Sequence, residues 1–325
     1  MRVTTAEAVS LLANSSPVAI PTETVWGLAA RADDEEGIER IFAIKNRPPS
    51  NPLIVHINSK SCLSAYVKEL PDEAFPLIDA FWPGGLTLVL PVKENAFPDI
   101  ARAGLPTAAF RMPDHETALE LIERTGPLVA PSANKSGRPS ATLPEHIEED
   151  FGVDFPILHS TIPCRHGIES TILIWRAPKW CLGRFGAISP SAIEGVLGYA
   201  PPHFSDDRPL CPGQMFRHYA PQASLFLGTT WDPSAGHTFD GVIGFSDRSY
   251  AHAKSILHLG PSSEPETCMF RLYALLRELD QRGFQSVFVD IDLPSSTHWQ
   301  ALLDRLKRAS NQSESFHVPQ GNRLP

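Results

Sequence analysis

The chain lacks the cysteine pattern of a zinc site or a disulfide frame. Its five cysteines, Cys62, Cys164, Cys181, Cys211 and Cys268, are scattered, odd in number and include no CxxC pair. A structural zinc is not expected, and the thiols read as the reduced thiols of a cytoplasmic protein. The N-terminus lacks a basic segment followed by an apolar run, so no signal peptide is expected. No apolar stretch is long enough to span a bilayer, so no membrane partner is expected. No GxGxxG turn and no GxxxxGK[ST] loop occurs, which argues against dinucleotide and Walker-type sites. Ser170 does not sit in a GxSxG elbow, which disfavours a serine hydrolase. Positive charge is not in excess: 28 Lys and Arg face 37 Asp and Glu, a net charge of -9. A broad basic footprint for nucleic acid is not indicated by this total, which leaves room for a local basic cleft.

What the chain has is proline, 31 in 325 residues, which implies many sharply defined loops. The length suits about two domains. Residues 1–200 alternate short apolar strands with amphipathic helices, an α/β pattern with a mixed sheet. Strands are predicted at Val18–Ile20, Leu53–Ile57, Leu86–Val92, Thr107–Arg111, Leu128–Ala130 and Thr171–Trp175. Asp33 with Glu36 resembles a capping box for a helix whose face carries Ile38, Ile41 and Phe42 and whose last turn carries Lys45. Residues 201–221 form a proline-marked, extended linker, yet they carry Arg217-His218-Tyr219, which a passive spacer does not need. Residues 222–325 read as a smaller Rossmann-like α/β unit. Parallel buried strands are predicted there at Phe239–Phe245 and Val287–Ile291, with a capping box at Ser263 and Glu266. Gly283 is placed as a C-cap glycine, and a final helix spans about Trp299 to Ala309.

The densest chemistry lies in Lys45-Asn46-Arg47-Pro48-Pro49-Ser50-Asn51, followed by the strand that ends in His56. Arg offers a planar donor fork matched to phosphate, and Lys a compact point charge. The alternative is an ordinary solvated helix end, and for His56 a satisfied core residue. Thr22-Glu23-Thr24 follows a strand, where hydroxyls either recognise a small polar ligand or cap a turn. Arg111 ends an apolar strand and needs an anionic partner, either a ligand carboxylate or an internal acid. Residues 130–140 hold Ser132, Asn134, Lys135, Ser136, Arg138 and Ser140, a donor-rich loop suited to an anion. Glu169-Ser170-Thr171 opens a strand, and Arg184 lies between two glycines beyond it.

In this order and spacing, Pro21–Leu28, Lys45–His56, Trp82-Pro83-Gly84, Arg111-Met112-Pro113, Pro131–Ser140 and Glu169-Ser170-Thr171 resemble the YrdC-like family. Pro212-Gly213 and Arg217–Pro221 resemble the linker of its long, two-domain threonylcarbamoyladenylate synthases. The resemblance implies a twisted mixed sheet with a concave basic cleft, followed by a small Rossmann-like domain. It implies that L-threonine, bicarbonate and ATP give threonylcarbamoyl-AMP and pyrophosphate. The product serves a downstream tRNA threonylcarbamoyl transferase complex. Thr24, His56, Arg111, Ala130 and Ser170 would hold threonine. Lys45, Arg47, Asn51, Thr107, Ser132, Asn134, Ser140, Arg184 and Tyr219 would surround ATP, with magnesium screening the triphosphate. No dedicated carboxylate cage for that ion is visible, and the resemblance names no obligatory general base. Three departures stand out: Trp26 replaces the usual Tyr, Gly85 a common Pro, and Leu182–Gly186 the usual Arg-Pro-Gly turn. Two other readings compete. One is an RNA-binding module using the basic cleft, against which the net charge argues. The other is a hydrogenase-maturation carbamoyltransferase, against which the missing cysteine pairs argue. Direct tRNA binding is left open.

Overall fold

The computed structural model describes residues 1–204, 218–232, 234 and 238–310. Two sheets organise them. The first holds ten strands: β1 (Arg2–Val3), β2 (Val18–Ile20), β3 (Gly27–Arg31), β4 (Ile54–His56), β5 (Leu86–Pro91), β6 (Thr107–Arg111), β7 (Leu128–Val129), β8 (Ile157–Leu158), β9 (Thr171–Arg176) and β10 (Lys179–Arg184). Their order across the sheet is β1-β8-β2-β3-β7-β4-β6-β5-β9-β10. The sheet is mixed: β4 runs parallel to β6, while β7 and β5 flank this pair antiparallel. All six predicted strands of this region are present, with ends that differ by one residue or so.

This order positions the site. The β4–β6 register sets His56 directly beside Arg111. Both strands are buried at these ends, so two polar side chains finish neighbouring apolar strands side by side. The helix Glu35–Lys45 buries Ile38, Ile41 and Phe42 as its periodicity predicts. Its start does not follow the predicted capping box. Asp34 is the N-cap and makes no side-chain cap bond, while Asp33 pairs with Arg31 at 2.8 Å. Asp33 lies one position too early, and a nearby guanidinium outcompetes a backbone N–H for it. The helix ends at Asn46 in the left-handed conformation (φ 51°), between Lys45 and Arg47.

The second sheet is fully parallel: β11 (Ser224–Gly228), β12 (Gly241–Phe245), β13 (Ile256–Gly260) and β14 (Ser286–Asp290), in the order β11-β14-β12-β13. Parallel, two-sided burial explains why these strands read as continuous apolar runs. The helix Pro265–Gln281 buries Leu272, Leu275, Leu276 and Leu279, and Gly283 follows it at φ +69°. Here too the predicted capping box fails. Glu264 is the N-cap, without a side-chain cap bond, and its carboxylate accepts instead from Thr267 at 2.9 Å. The final helix spans Gln300–Ala309.

The two sheets are joined through buried charge. Arg277, 1% exposed, donates from Nη2 to Asp150 at 2.9 Å and to the Pro139 carbonyl at 2.7 Å. Asp150 lies on the helix Pro144–Phe151 of the first half. Arg138 also pairs with Asp150, at 2.5 Å. Nearby, Gly167 (φ +66°) meets Phe270 so closely that an added Cβ would lie 2.4 Å from the Phe270 Cα. Only glycine serves at this contact. Among the described residues no helix is long and apolar enough to cross a membrane.

Candidate active site

A cleft, partly open to solvent, lies where the ends of β4, β6 and β9 meet the loop of residues 130–138. Its wall includes Thr24, Lys45, Arg47, His56, Arg111 and Ala130 of the expected set. It also includes Ser132, Asn134, Ser170, Arg184 and Tyr219. The structure does not bring Asn51, Thr107 or Ser140 to that wall. Thr107 opens β6, at the opposite end from Arg111. Asn51 and Thr107 each keep a buried side-chain oxygen, Oδ1 and Oγ1, without a partner. Ser140 lies behind the cleft and donates to Glu169 at 2.6 Å.

One end of the cleft is cationic. Lys45, 1% exposed, donates two of its three protons to the Ser132 and Asn134 carbonyls. Burial, then the neighbouring charge of Arg47, pushes its ammonium well below the ordinary lysine range. Arg47 donates to the Pro52 carbonyl at 3.0 Å and to the Asn51 carbonyl at 3.2 Å, so its fork is oriented before any ligand arrives. Burial lowers its pKa to about 10, Tyr219 partly opposing and Arg184 adding to the fall. A buried cation cluster of this kind is costly without an anion. Arg184 donates to the Ser170 carbonyl from Nη2 at 2.9 Å and to the Ser170 hydroxyl at 3.1 Å. A bulge between Leu182 and Arg184 re-aims this side chain. Gly186, two residues beyond Arg184, allows a close approach: a Cβ there would lie 2.3 Å from the Ser170 carbonyl carbon.

The other end is suited to a small zwitterion. Thr22 and Thr24 share a hydrogen bond of 2.8 Å, as do Thr87 and Ser170. His56 Nδ1 lies 3.2 Å from the Ile54 carbonyl, and a carbonyl only accepts, so Nδ1 carries the proton. Burial, then the adjacent Arg111, lowers the imidazole to about 3, against a weaker opposing effect of the Ile54 bond. The ring is therefore neutral, and its Nε2 is an acceptor. Arg111 meets Glu23 at 2.7 Å and donates from Nε to the Gly84 carbonyl at 3.1 Å. Of the two partners the sequence allowed Arg111, the internal acid is thus present. Yet Arg111 Nη2 and both Glu23 oxygens lack a well-directed hydrogen bond. The pair offsets charge without saturating the guanidinium.

Three functional groups were missed in the sequence. Glu169, quoted beside Ser170 but given no role, lines the cleft. Burial would raise its pKa, but Arg305, Arg184 and bonds from Ser140 and Arg305 hold it at about 2. Arg305 donates to it at 2.8 Å, and the Tyr273 hydroxyl at 2.9 Å. Both come from the second sheet's helices. A signal for Arg305 existed: it falls within the buried stripe of Ala301, Leu302, Leu306 and Ala309. Tyr219 is buried and adopts φ 67°, and its ring stacks on Tyr273 at 5.4 Å. Pro209, Cys211-Pro212-Gly213 and Arg217 of the linker lie outside the described residues.

Comparison with known proteins agrees with this geometry. The Sua5/YciO/YrdC family, described as telomere recombination, matches residues 10–186. A second family, the C-terminal domain of threonylcarbamoyl-AMP synthase, matches residues 188–311. The threonylcarbamoyl-AMP synthase of Bacillus subtilis is 35% identical, over 94% of this chain and 92% of its own length. That of Pyrococcus abyssi is 38% identical, over 90% of each. The crystal structure of P. abyssi Sua5 complexed with L-threonine superposes with a TM-score of 0.86 at 35% identity, covering 95% of this chain and 97% of that one. With two family domains in sequence and relatives matched along nearly their whole length, the chain belongs to the two-domain threonylcarbamoyl-AMP synthase family.

Proposed function

We propose that the chain is an L-threonylcarbamoyladenylate synthase, a nucleotidyltransferase that makes threonylcarbamoyl-AMP and pyrophosphate from L-threonine, bicarbonate and ATP. One observation carries this reading. Three cations, Lys45 and Arg184 buried and Arg47 half-buried, share a single cleft with the register-paired His56 and Arg111. A triphosphate and an amino acid would therefore lie end to end.

In this reading Arg111 takes the threonine carboxylate on the part of its fork that Glu23 leaves unsaturated. His56 Nε2 accepts from the amine or hydroxyl, with Thr24, Ser170 and the Ala130 backbone closing the pocket. Lys45, Arg47, Ser132, Asn134, Arg184 and Tyr219 surround ATP. Asn51 and Thr107 stay in this set on the family resemblance alone, since neither lines the cleft and each keeps an unpartnered buried oxygen. Ser140 acts through Glu169. The neutral threonine amine attacks carbon dioxide and releases a proton to solvent, or attacks bicarbonate with loss of water, and either route gives the carbamate. A carbamate oxygen then attacks the α-phosphorus, the bond to the β-phosphate oxygen breaks, and pyrophosphate leaves with the electron pair. The chain's contribution is positioning and charge neutralisation. No side chain is assigned as a general base.

A resident magnesium does not fit the donor set. Among the described residues no cluster of three His, Cys, Asp or Glu could hold a metal, and the Glu169 carboxylate already accepts from Ser140, Tyr273 and Arg305. Magnesium would arrive on the triphosphate, as is usual for this ion. Residues 1–200 would form the catalytic domain, 201–221 a linker folding over the nucleotide, and 222–325 the small second domain. The product would pass to a tRNA threonylcarbamoyl transferase complex in the cytoplasm. The test is pyrophosphate release from ATP and bicarbonate with each amino acid in turn. Release that depends on threonine is expected; release indifferent to the amino acid sinks the proposal.

A further inference from the structure

The nucleotide end of the cleft contains a group that opposes nucleotide binding. Glu169 is an ionised, buried carboxylate among phosphate-seeking cations. Left alone it would repel a triphosphate and compete for Arg184. It is not left alone, and what neutralises it comes from more than a hundred residues away in sequence. Arg305, with 0% exposure, donates from Nε to Glu169 at 2.8 Å and from Nη2 to the Phe185 carbonyl at 2.8 Å. The Tyr273 hydroxyl shares its single proton between the two Glu169 oxygens, at 3.1 and 2.9 Å. The same two side chains hold Tyr219. The Arg305 guanidinium carbon lies 5.0 Å from the centre of the Tyr219 ring, and Tyr273 stacks on that ring with 27° between planes. Cation–π contact and stacking fix a ring that the positive φ of Tyr219 would otherwise present at a cost.

We propose that Arg305 and Tyr273 are positioning residues for the nucleotide: the second domain neutralises Glu169 and seats Tyr219, so the ATP end of the cleft is complete only when that domain is docked. This rests on the functional reading above and assigns the second domain a part in it. Two buried groups converge from separate helices on two wall residues of one site. The interface that Arg277 makes with Asp150 reaches the wall only through Arg138, whose side chain is 32% exposed rather than buried. A positioning role predicts an effect confined to one substrate, because Arg305 and Tyr273 contact nothing at the His56–Arg111 end.

The experiment uses the full chain with Arg305→Met, Tyr273→Phe and the double variant Glu169→Gln/Arg305→Met. Steady-state pyrophosphate release yields KM for ATP and for threonine separately, and thermal melting with and without ATP reads nucleotide binding without turnover. For Arg305→Met the ATP KM should rise about tenfold or more, the scale of one charged hydrogen bond, with threonine KM changed by about twofold at most. Tyr273→Phe keeps the ring and loses only the donor, so its ATP KM should rise by roughly threefold. Removing the orphaned charge in the double variant should restore most of the ATP affinity lost in Arg305→Met. Wild-type ATP KM in folded variants, equal rises for both substrates, or no recovery in the double variant overturns the proposal. If Arg305→Met does not fold, Tyr273→Phe and the double variant decide. If the wild type releases no pyrophosphate with threonine, the functional reading fails on its own, and the ATP-induced shift in melting still tests the positioning role.

Discussion

Lowering the pH from 7 to 5 should destabilise the protein through His56 in particular. Its imidazole titrates near 6.5 in an unfolded chain and is held to about 3 in the folded one. Burial is the main cause, and the guanidinium of Arg111, its partner across the β4–β6 register, is the second. Below pH 6.5 the unfolded chain binds a proton that the folded chain refuses. The stability held by this group is therefore complete above 6.5 and is lost as pH falls towards about 3. At about 1.4 kcal/mol per pH unit, the loss at pH 5 is about 2 kcal/mol, rising to about 5 kcal/mol near pH 3. The perturbation is His56→Asn, which keeps a donor of similar reach and cannot become a cation in this range. Urea unfolding of both proteins at pH 7 and pH 5 isolates the effect. His146, also lowered by burial to about 4, titrates in both proteins and cancels in the difference. The variant should be less stable at pH 7 by about 0.5–3 kcal/mol, for the lost packing of the buried ring rather than for the Ile54 bond. That gap should shrink by about 2 kcal/mol at pH 5. A gap that stays constant between the two pH values would refute a neutral, desolvated His56 and with it the assignment of Nε2 as an acceptor.

Arg47→Ala should lower kcat/KM in pyrophosphate release by about a hundredfold or more, since it removes an oriented cation from the triphosphate end; a near-wild-type value would remove Arg47 from the site. Arg111→Lys should raise the threonine KM by about tenfold, because a point charge cannot replace a planar fork on a carboxylate, while ATP KM stays near its wild-type value. Arg277→Met should lower stability by about 2–3 kcal/mol, less than the about 3–5 kcal/mol of a fully orphaned charge because Arg138 still pairs with Asp150. A melting temperature within about 1 °C of wild type, against the roughly 3–4 °C expected, would show that this ion pair does not join the two halves.

Much of the first half is legible in the sequence for a physical reason. Short apolar strands bounded by proline and glycine carry their own punctuation, and their burial makes alternation unnecessary. Lys45, Arg47 and His56 could be singled out because cations and imidazole next to such strands are expensive unless used. The two capping boxes could not be read correctly. Asp33 and Ser263 had the right spacing on paper, but a one-residue offset and competing partners such as Arg31 are settled in three dimensions.

By itself, the sequence determined the order of strands and helices, the cation-rich loops and the family resemblance, because these depend on local spacing and chemistry. Only the tertiary structure decided that His56 stands beside Arg111, since that follows from the register of strands over fifty residues apart in the chain. It alone decided that Glu23 shares Arg111 and that a bulge aims Arg184 at Ser170. It also decided that Arg305 and Tyr273 close on Glu169 from the second sheet's helices. Burial and pairing across long chain separations set the charge states of these groups, and neither is a property of any one segment.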